Sequence, residues 1–239
     1  MIVVFKHEKL LFHPVQIERA NPQYAVLLQE QLGGANGELK AAMQYMSQSF
    51  RIKDPEIKDL FLDIAAEELS HMEMVAQTIS LLNGHDPDAQ AVPAGEVQTH
   101  VVLGLNPGLI NASGYSWTAD YVTVTGDLCA DLLSNIASEQ RAKSTYEYLY
   151  RQIGDKKVRE TIDFLLNREE AHNALFREAF NRVQESGSPY GRFCDRCSGT
   201  DADRSRIPEN TRCLFRSHAG NRCGNRRFQR TVRPESAEW

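Results

Sequence analysis

Two pairs of glutamates, each 30 residues apart, set the strongest constraint on this chain: Glu38 with Glu68, and Glu139 with Glu169. The second glutamate of each pair opens a Glu-x-x-His that ends at His71 or His172. The first is followed seven residues later by a tyrosine, Tyr45 or Tyr146. Four glutamates and two histidines in this order, on four helices, are the donor set of a dinuclear metal site inside a four-helix bundle.

The spacing carries geometry. Thirty residues is what two antiparallel helices need to face each other at mid-height, with each glutamate about 13 residues, roughly 20 Å, from a shared turn. The midpoint of the first pair is Lys53, and there the sequence reads Asp54-Pro55, a helix N-cap followed by proline at the first helical position. The midpoint of the second is Gly154, a helix stop, followed by Asp155 as a new cap. The turns fall where two hairpins require them.

Around the motifs the apolar residues recur in steps of three and four. Ile57, Phe61, Ile64, Glu68, His71, Val75, Ile79 and Leu82 form one stripe. Val158, Ile162, Leu165, Glu169, His172, Phe176 and Val183 form the other. Such stripes face a core, and each has two ionisable groups in its middle. Glu67 and Glu170 lie about 100° off the stripes and are expected on the surface. Glu-x-x-His is also a common tetrapeptide on solvated helix faces. Doubling at matched spacing on apolar stripes argues against that reading. Burying unpaired carboxylates costs several kcal/mol or more each. Two divalent cations remove the cost, bridged by carboxylates and completed by neutral imidazoles.

The pattern predicts an all-α, ferritin-like four-helix bundle with a long crossover between the second and third helices. Residues 1–20 read as an N-terminal arm and 21–186 as the bundle. The first helix is expected from Asn21-Pro22 to about Arg51 and the second from Pro55 to about Asn83. The crossover occupies 84–124, the third helix runs from about Gly126 to Ile153, and the fourth from Asp155 to about Glu185. Gly33, Gly34 and Gly37 precede Glu38. They leave room for a channel or distorted turn, or else mark close packing or a break between two shorter helices.

Charge separates the bundle from the tail. Residues 1–186 hold 16 basic and 26 acidic side chains; 187–239 hold 11 basic residues, all arginine, and 6 acidic. The acidic body gives no reason to expect nucleic acid as a partner. No apolar run is long enough to span a membrane, and the start lacks a signal-peptide core, so a cytoplasmic location is expected. Cys194, Cys197, Cys213, Cys223 and His218 lie in the tail. Three readings of it stand: a segment translated out of frame, a disordered basic tail, and a zinc-binding module.

The segments GGANGEL (33–39), AAEELSHMEM (65–74), SWTADYVTVTGDLCADLLSNIASE (116–139) and NREEAHNALF (167–176) resemble the non-haem manganese catalases. The third run is the most specific of the four. The resemblance implies metal ligation by Glu38, Glu68, His71, Glu139 and His172, with Glu68 bridging, and an outer carboxylate for proton transfer at Glu169. It implies two manganese ions per chain, no haem, a homo-oligomer that is a hexamer, and disproportionation of hydrogen peroxide to water and oxygen. Tyr45 matches a tyrosine that orients a carboxylate; Tyr146 either does the same or packs the core. Ser138 and Leu133 stand where some members have arginine. The same donors suit iron, so a di-iron peroxidase or ferroxidase is the alternative enzyme. A structural coat or storage protein on the same fold is the alternative of another class.

Overall fold

The computed structural model describes residues 9–84 and 106–185. The helices are α1 (Pro22–Gly33), α2 (Glu38–Ser49), α3 (Pro55–Asn83), α4 (Leu128–Gln152) and α5 (Lys156–Glu185). Among the described residues there is no strand, only an isolated bridge between Ile110 and Ser116. The tail assigned to 187–239 and most of the arm's first half lie outside the described residues, as do 85–105 of the crossover.

Local chemistry sets the helix ends. Asn21 accepts hydrogen bonds from the amides of Gln23 and Tyr24 and starts α1. Asp54 does the same for Glu56 and Ile57 ahead of α3, with Pro55 at its first position. Asp155 caps α5 through the amides of Lys157 and Val158. It also accepts from the amide of Glu18, which ties the N-terminal arm to the far turn.

The expected first helix is two helices. It breaks between Gly33 and Glu38 because the backbone there is crowded on both sides. A Cβ at Gly33 would lie 2.4 Å from the backbone of Ile110, and one at Gly37 would lie 2.5 Å from the carbonyl oxygen of Gln31. Close packing and a helix break account for these glycines. The break makes Glu38 the first residue of α2.

α4 packs along α5, and α2 along α3. The core divides into two apolar clusters. One gathers Leu28, Met74, Ile79, Leu82, Ile162 and Leu165; the other gathers Tyr45, Ile57, Phe61, Leu132, Phe176 and Val183. Along α3 the chain passes from the second cluster, through Glu68 and His71, into the first. Along α5 it passes from the first, through Glu169 and His172, into the second. The polar layer is thus enclosed at both ends by hydrocarbon.

The described part of the crossover, 106–124, is stitched to the bundle by amides. Gln29 Nε2 donates to the carbonyls of Gly108 and Ile110. Gln44, Asn135 and Gln48 form a buried chain that both donates to the Thr123 carbonyl and accepts from its amide. This fixes the segment after Trp117 against α2 and α4.

Candidate dinuclear metal centre

All six residues singled out in the sequence meet in the polar layer. Glu38, Glu68, His71, Glu139, Glu169 and His172 are each at most 2 % exposed. The two imidazoles lie nearly parallel, 5.5 Å apart between ring centroids. Glu68 sits between them: its Oε1 is 2.7 Å from His172 Nδ1 and its Oε2 is 3.4 Å from His71 Nδ1. Glu38 Oε2 approaches His71 Nδ1 to 3.6 Å, and Glu139 Oε2 approaches His172 Nδ1 to 3.8 Å. Glu169 Oε1 is 3.8 Å from His71 Nδ1.

These contacts do not satisfy the groups that make them. Both oxygens of Glu68, both nitrogens of each histidine, Glu139 Oε2 and Glu169 Oε1 are buried and lack a partner in hydrogen-bond geometry. Buried polar atoms are nearly always paired. A concentration of unpaired ones, all carboxylate oxygens or imidazole nitrogens, fits a pair of divalent cations. One atom each from Glu68, His71, Glu169 and His172 falls within 4.8 Å of the others. By distance alone, then, Glu169 ranks with the ligands.

Two tyrosines hold the remaining carboxylates, and they do so crosswise. The hydroxyl of Tyr45 on α2 donates to Glu139 on α4, and that of Tyr146 on α4 donates to Glu38 on α2. Tyr146 therefore orients a carboxylate as Tyr45 does. Two further neighbours were not visible in the sequence. Lys40, buried on α2, donates to Ser138 Oγ at 2.8 Å, beside Glu139; Ser138 is one of the two positions where some family members have arginine. Leu133 points outward, 51 % exposed. Glu67, expected on the surface, has a side chain only 21 % exposed and lies behind the histidines. Arg168 of the neighbouring α5 reaches over it, and no single-helix periodicity can show that.

Electrostatics follow from the crowding. Burial and then the charge of Glu68 push the Glu38 carboxyl up to about 8 and that of Glu139 up to about 7. Glu169 is raised well above the ordinary range by burial and by Glu68, Glu38 and Glu139. Burial opposes ionisation of Glu68 too, but His172 and His71 outweigh it and hold its carboxyl below the usual range. Burial likewise opposes a charge on His172, yet Glu68 and Glu67 raise it to about 10. Groups raised in the folded state bind more protons there than in the unfolded chain, so stability falls as pH rises. For the raised carboxyls the decline begins near the ordinary 4.5 and passes through about 7 and about 8. We expect the melting temperature of chelator-treated protein to drop between pH 5 and 9. Excess manganese should abolish the drop, because the cations take the place of the protons. Thermal melts across that range check this; a flat or rising profile in the chelated protein would contradict it.

Buried carboxylates and histidines on the legs of a four-helix bundle define the class of dinuclear-metal bundle proteins. Within that class the chain belongs to the manganese containing catalase family, which it matches over residues 4–197. It is 72 % identical over 187 residues to a probable manganese catalase of Clostridium acetobutylicum, covering 77 % of this chain and 83 % of that one. It is 36 % identical over 194 residues to a manganese catalase of Lactiplantibacillus plantarum, covering 76 % of this chain and 73 % of that one. The crystal structure of KatB, a manganese catalase from Anabaena PCC7120, superposes with a TM-score of 0.72 at 40 % identity. It covers 78 % of this chain and 83 % of that one. The family match runs past Ser186 to include Cys194 and Cys197.

Proposed function

We propose that this chain disproportionates hydrogen peroxide at a pair of manganese ions held by Glu38, Glu68, His71, Glu139 and His172, with Glu169 handling protons. The observation that carries the reading is the convergence of unpaired carboxylate oxygens and imidazole nitrogens in a chain of this family. The donor set suits iron as well; family membership selects manganese. When bound, the metal pair supplies a two-electron couple, matching the two electrons that each half-reaction moves.

The protein's part is to hold the donors and to manage protons. One peroxide takes up two electrons and two protons and becomes two waters; the other gives up the same and becomes oxygen. A group that accepts and returns protons beside the substrate is therefore required. Glu169, buried in the same layer and with its proton affinity raised, fills that role. Tyr45 and Tyr146 fix the carboxylates of Glu139 and Glu38. The apolar clusters above and below keep bulk water out of the layer.

Purified protein should contain about two manganese ions per chain and evolve oxygen from peroxide with no Soret absorption. Metal analysis and an oxygen electrode test this together. Iron in place of manganese, with peroxidase turnover and no oxygen, would give the di-iron alternative instead. Full metal with no turnover would give the structural one.

The protein is further proposed to work in the cytoplasm as a homohexamer, with the chemistry confined to 21–186. Among the described residues, no helix is long and apolar enough to cross a membrane. Exposed Leu10, Phe12, Tyr115 and Tyr148 offer apolar surface that association would cover.

A further inference from the structure

We propose that Glu67 is a positioning residue shared by both histidines: one carboxylate, clamped by Arg168, orients both imidazoles so that Nδ1 of each faces the metals. The inference rests on the metal-site reading given above.

Glu67 and Glu68 are consecutive on α3, yet they address opposite edges of the same two rings. The Glu68 oxygens lie 2.7 and 3.4 Å from the two Nδ1 atoms. Glu67 Oε1 lies 3.4 Å from Nε2 of His71 and 3.4 Å from Nε2 of His172. Neither Nε2 has a partner in full hydrogen-bond geometry, and Glu67 Oε1 is the carboxylate oxygen that approaches both. On the Nδ1 side stand the carboxylates of Glu38, Glu68 and Glu169 for His71, and of Glu68 and Glu139 for His172.

A neutral imidazole ligates through the nitrogen that carries no proton, and an acceptor behind the other nitrogen decides which one that is. Each ligating histidine commonly has its own acceptor. Here a single oxygen serves two. Its own position is fixed from α5: Arg168 Nε donates to Glu67 Oε1, and Nη2 donates to Oε2 at 3.1 Å. A fork of this kind holds a carboxylate in one plane. With Arg168 donating to both of its oxygens, Glu67 is an acceptor for the Nε2 protons and not a donor to them.

The test uses full-length protein with Glu67→Ala, Glu67→Gln and Arg168→Ala. Two readouts are needed: the manganese dissociation constant of chelator-stripped protein, and 15N–1H spectra of 15N-histidine protein loaded with diamagnetic zinc, which show the nitrogen that carries the proton. The parent should show both histidines protonated at Nε2. Glu67→Ala should weaken manganese binding by about 10–100-fold and lose the protected Nε2–H signals, with helicity unchanged by circular dichroism. Glu67→Gln keeps an acceptor oxygen and should restore the Nε2–H signals. Glu67→Ala with parental affinity and parental spectra would overturn the proposal. So would affinity lost equally in Glu67→Ala and Glu67→Gln with the Nε2–H signals intact, because that pattern marks a purely structural contact. A parent protein that takes up no metal would overturn the underlying reading, and this proposal with it.

Discussion

Glu68→Ala should leave the protein with less than about a tenth of its manganese and no measurable oxygen evolution. Among the described residues, Glu68 is the one whose side chain approaches the Nδ1 atoms of both histidines. Its charge is also the one the site keeps: neighbouring carboxyls are raised partly because Glu68 is ionised. Removing one partner of a buried charge cluster costs about 3–5 kcal/mol, which corresponds to more than about 100-fold in affinity. Metal analysis after dialysis, with circular dichroism to show that the helices remain, gives the answer. A second signature separates loss of the ligand from misfolding. Without the charge of Glu68, the carboxyls of Glu38 and Glu139 should titrate lower, so the metal-free variant should lose less stability with rising pH than the metal-free parent. Near-parental manganese in Glu68→Ala would remove Glu68 from the ligand set.

Glu169→Gln should do the reverse, keeping most of the manganese while turnover falls about 10²–10⁴-fold. The amide matches the carboxyl in shape and can still hydrogen-bond, but it cannot take up and return a proton. Because Glu169 lies as near His71 as a ligand would, at 3.8 Å, geometry leaves two roles open to it and this substitution divides them. Parallel loss of metal and rate would make Glu169 a ligand and bring the centre closer to a di-iron type. Metal content and initial rates, measured on the same preparation, suffice.

What could be read from the sequence, and what could not, follows from the range of the interactions. The caps at Asp54 and Asp155 depend on residues two or three positions away, so local patterning located both turns. The six central residues stood out because charged groups interrupted apolar stripes, a signal carried by each helix alone. The break before Glu38 was half legible. Three glycines marked the place; Gly34 and Gly37 crowd the nearby Glu30 and Gln31, but the Ile110 backbone that crowds Gly33 lies more than 70 positions away. Glu67 was misplaced for the same kind of reason. Its angle on α3 puts it off the apolar stripe, and the arginine that covers it comes from another helix, with a sequence separation of 101. Buried Lys40 and the Gln44–Asn135–Gln48 chain depend on contacts between α2 and α4 and leave no trace in the period of either.

That separation of 101 recurs across the bundle. Adding it to 38, 45, 68 and 71 gives 139, 146, 169 and 172, so the two halves of the bundle are related as the copies of a twofold dimer would be. The crossed hydroxyls obey the rule of an isologous contact, in which residue i of one copy meets residue j of the other and j meets i. Positions 67 and 168 are also equivalent, and they touch each other. A residue that meets its own counterpart lies on the rotation axis, which is why Glu67 stands equally far from both rings. In a dimer of identical halves the axis would bring together two glutamates or two arginines, and either pair would repel. Halves that differ in sequence, as they do in this chain, can place opposite charges there. The Glu67–Arg168 pair is thus a contact that two identical hairpins could not make.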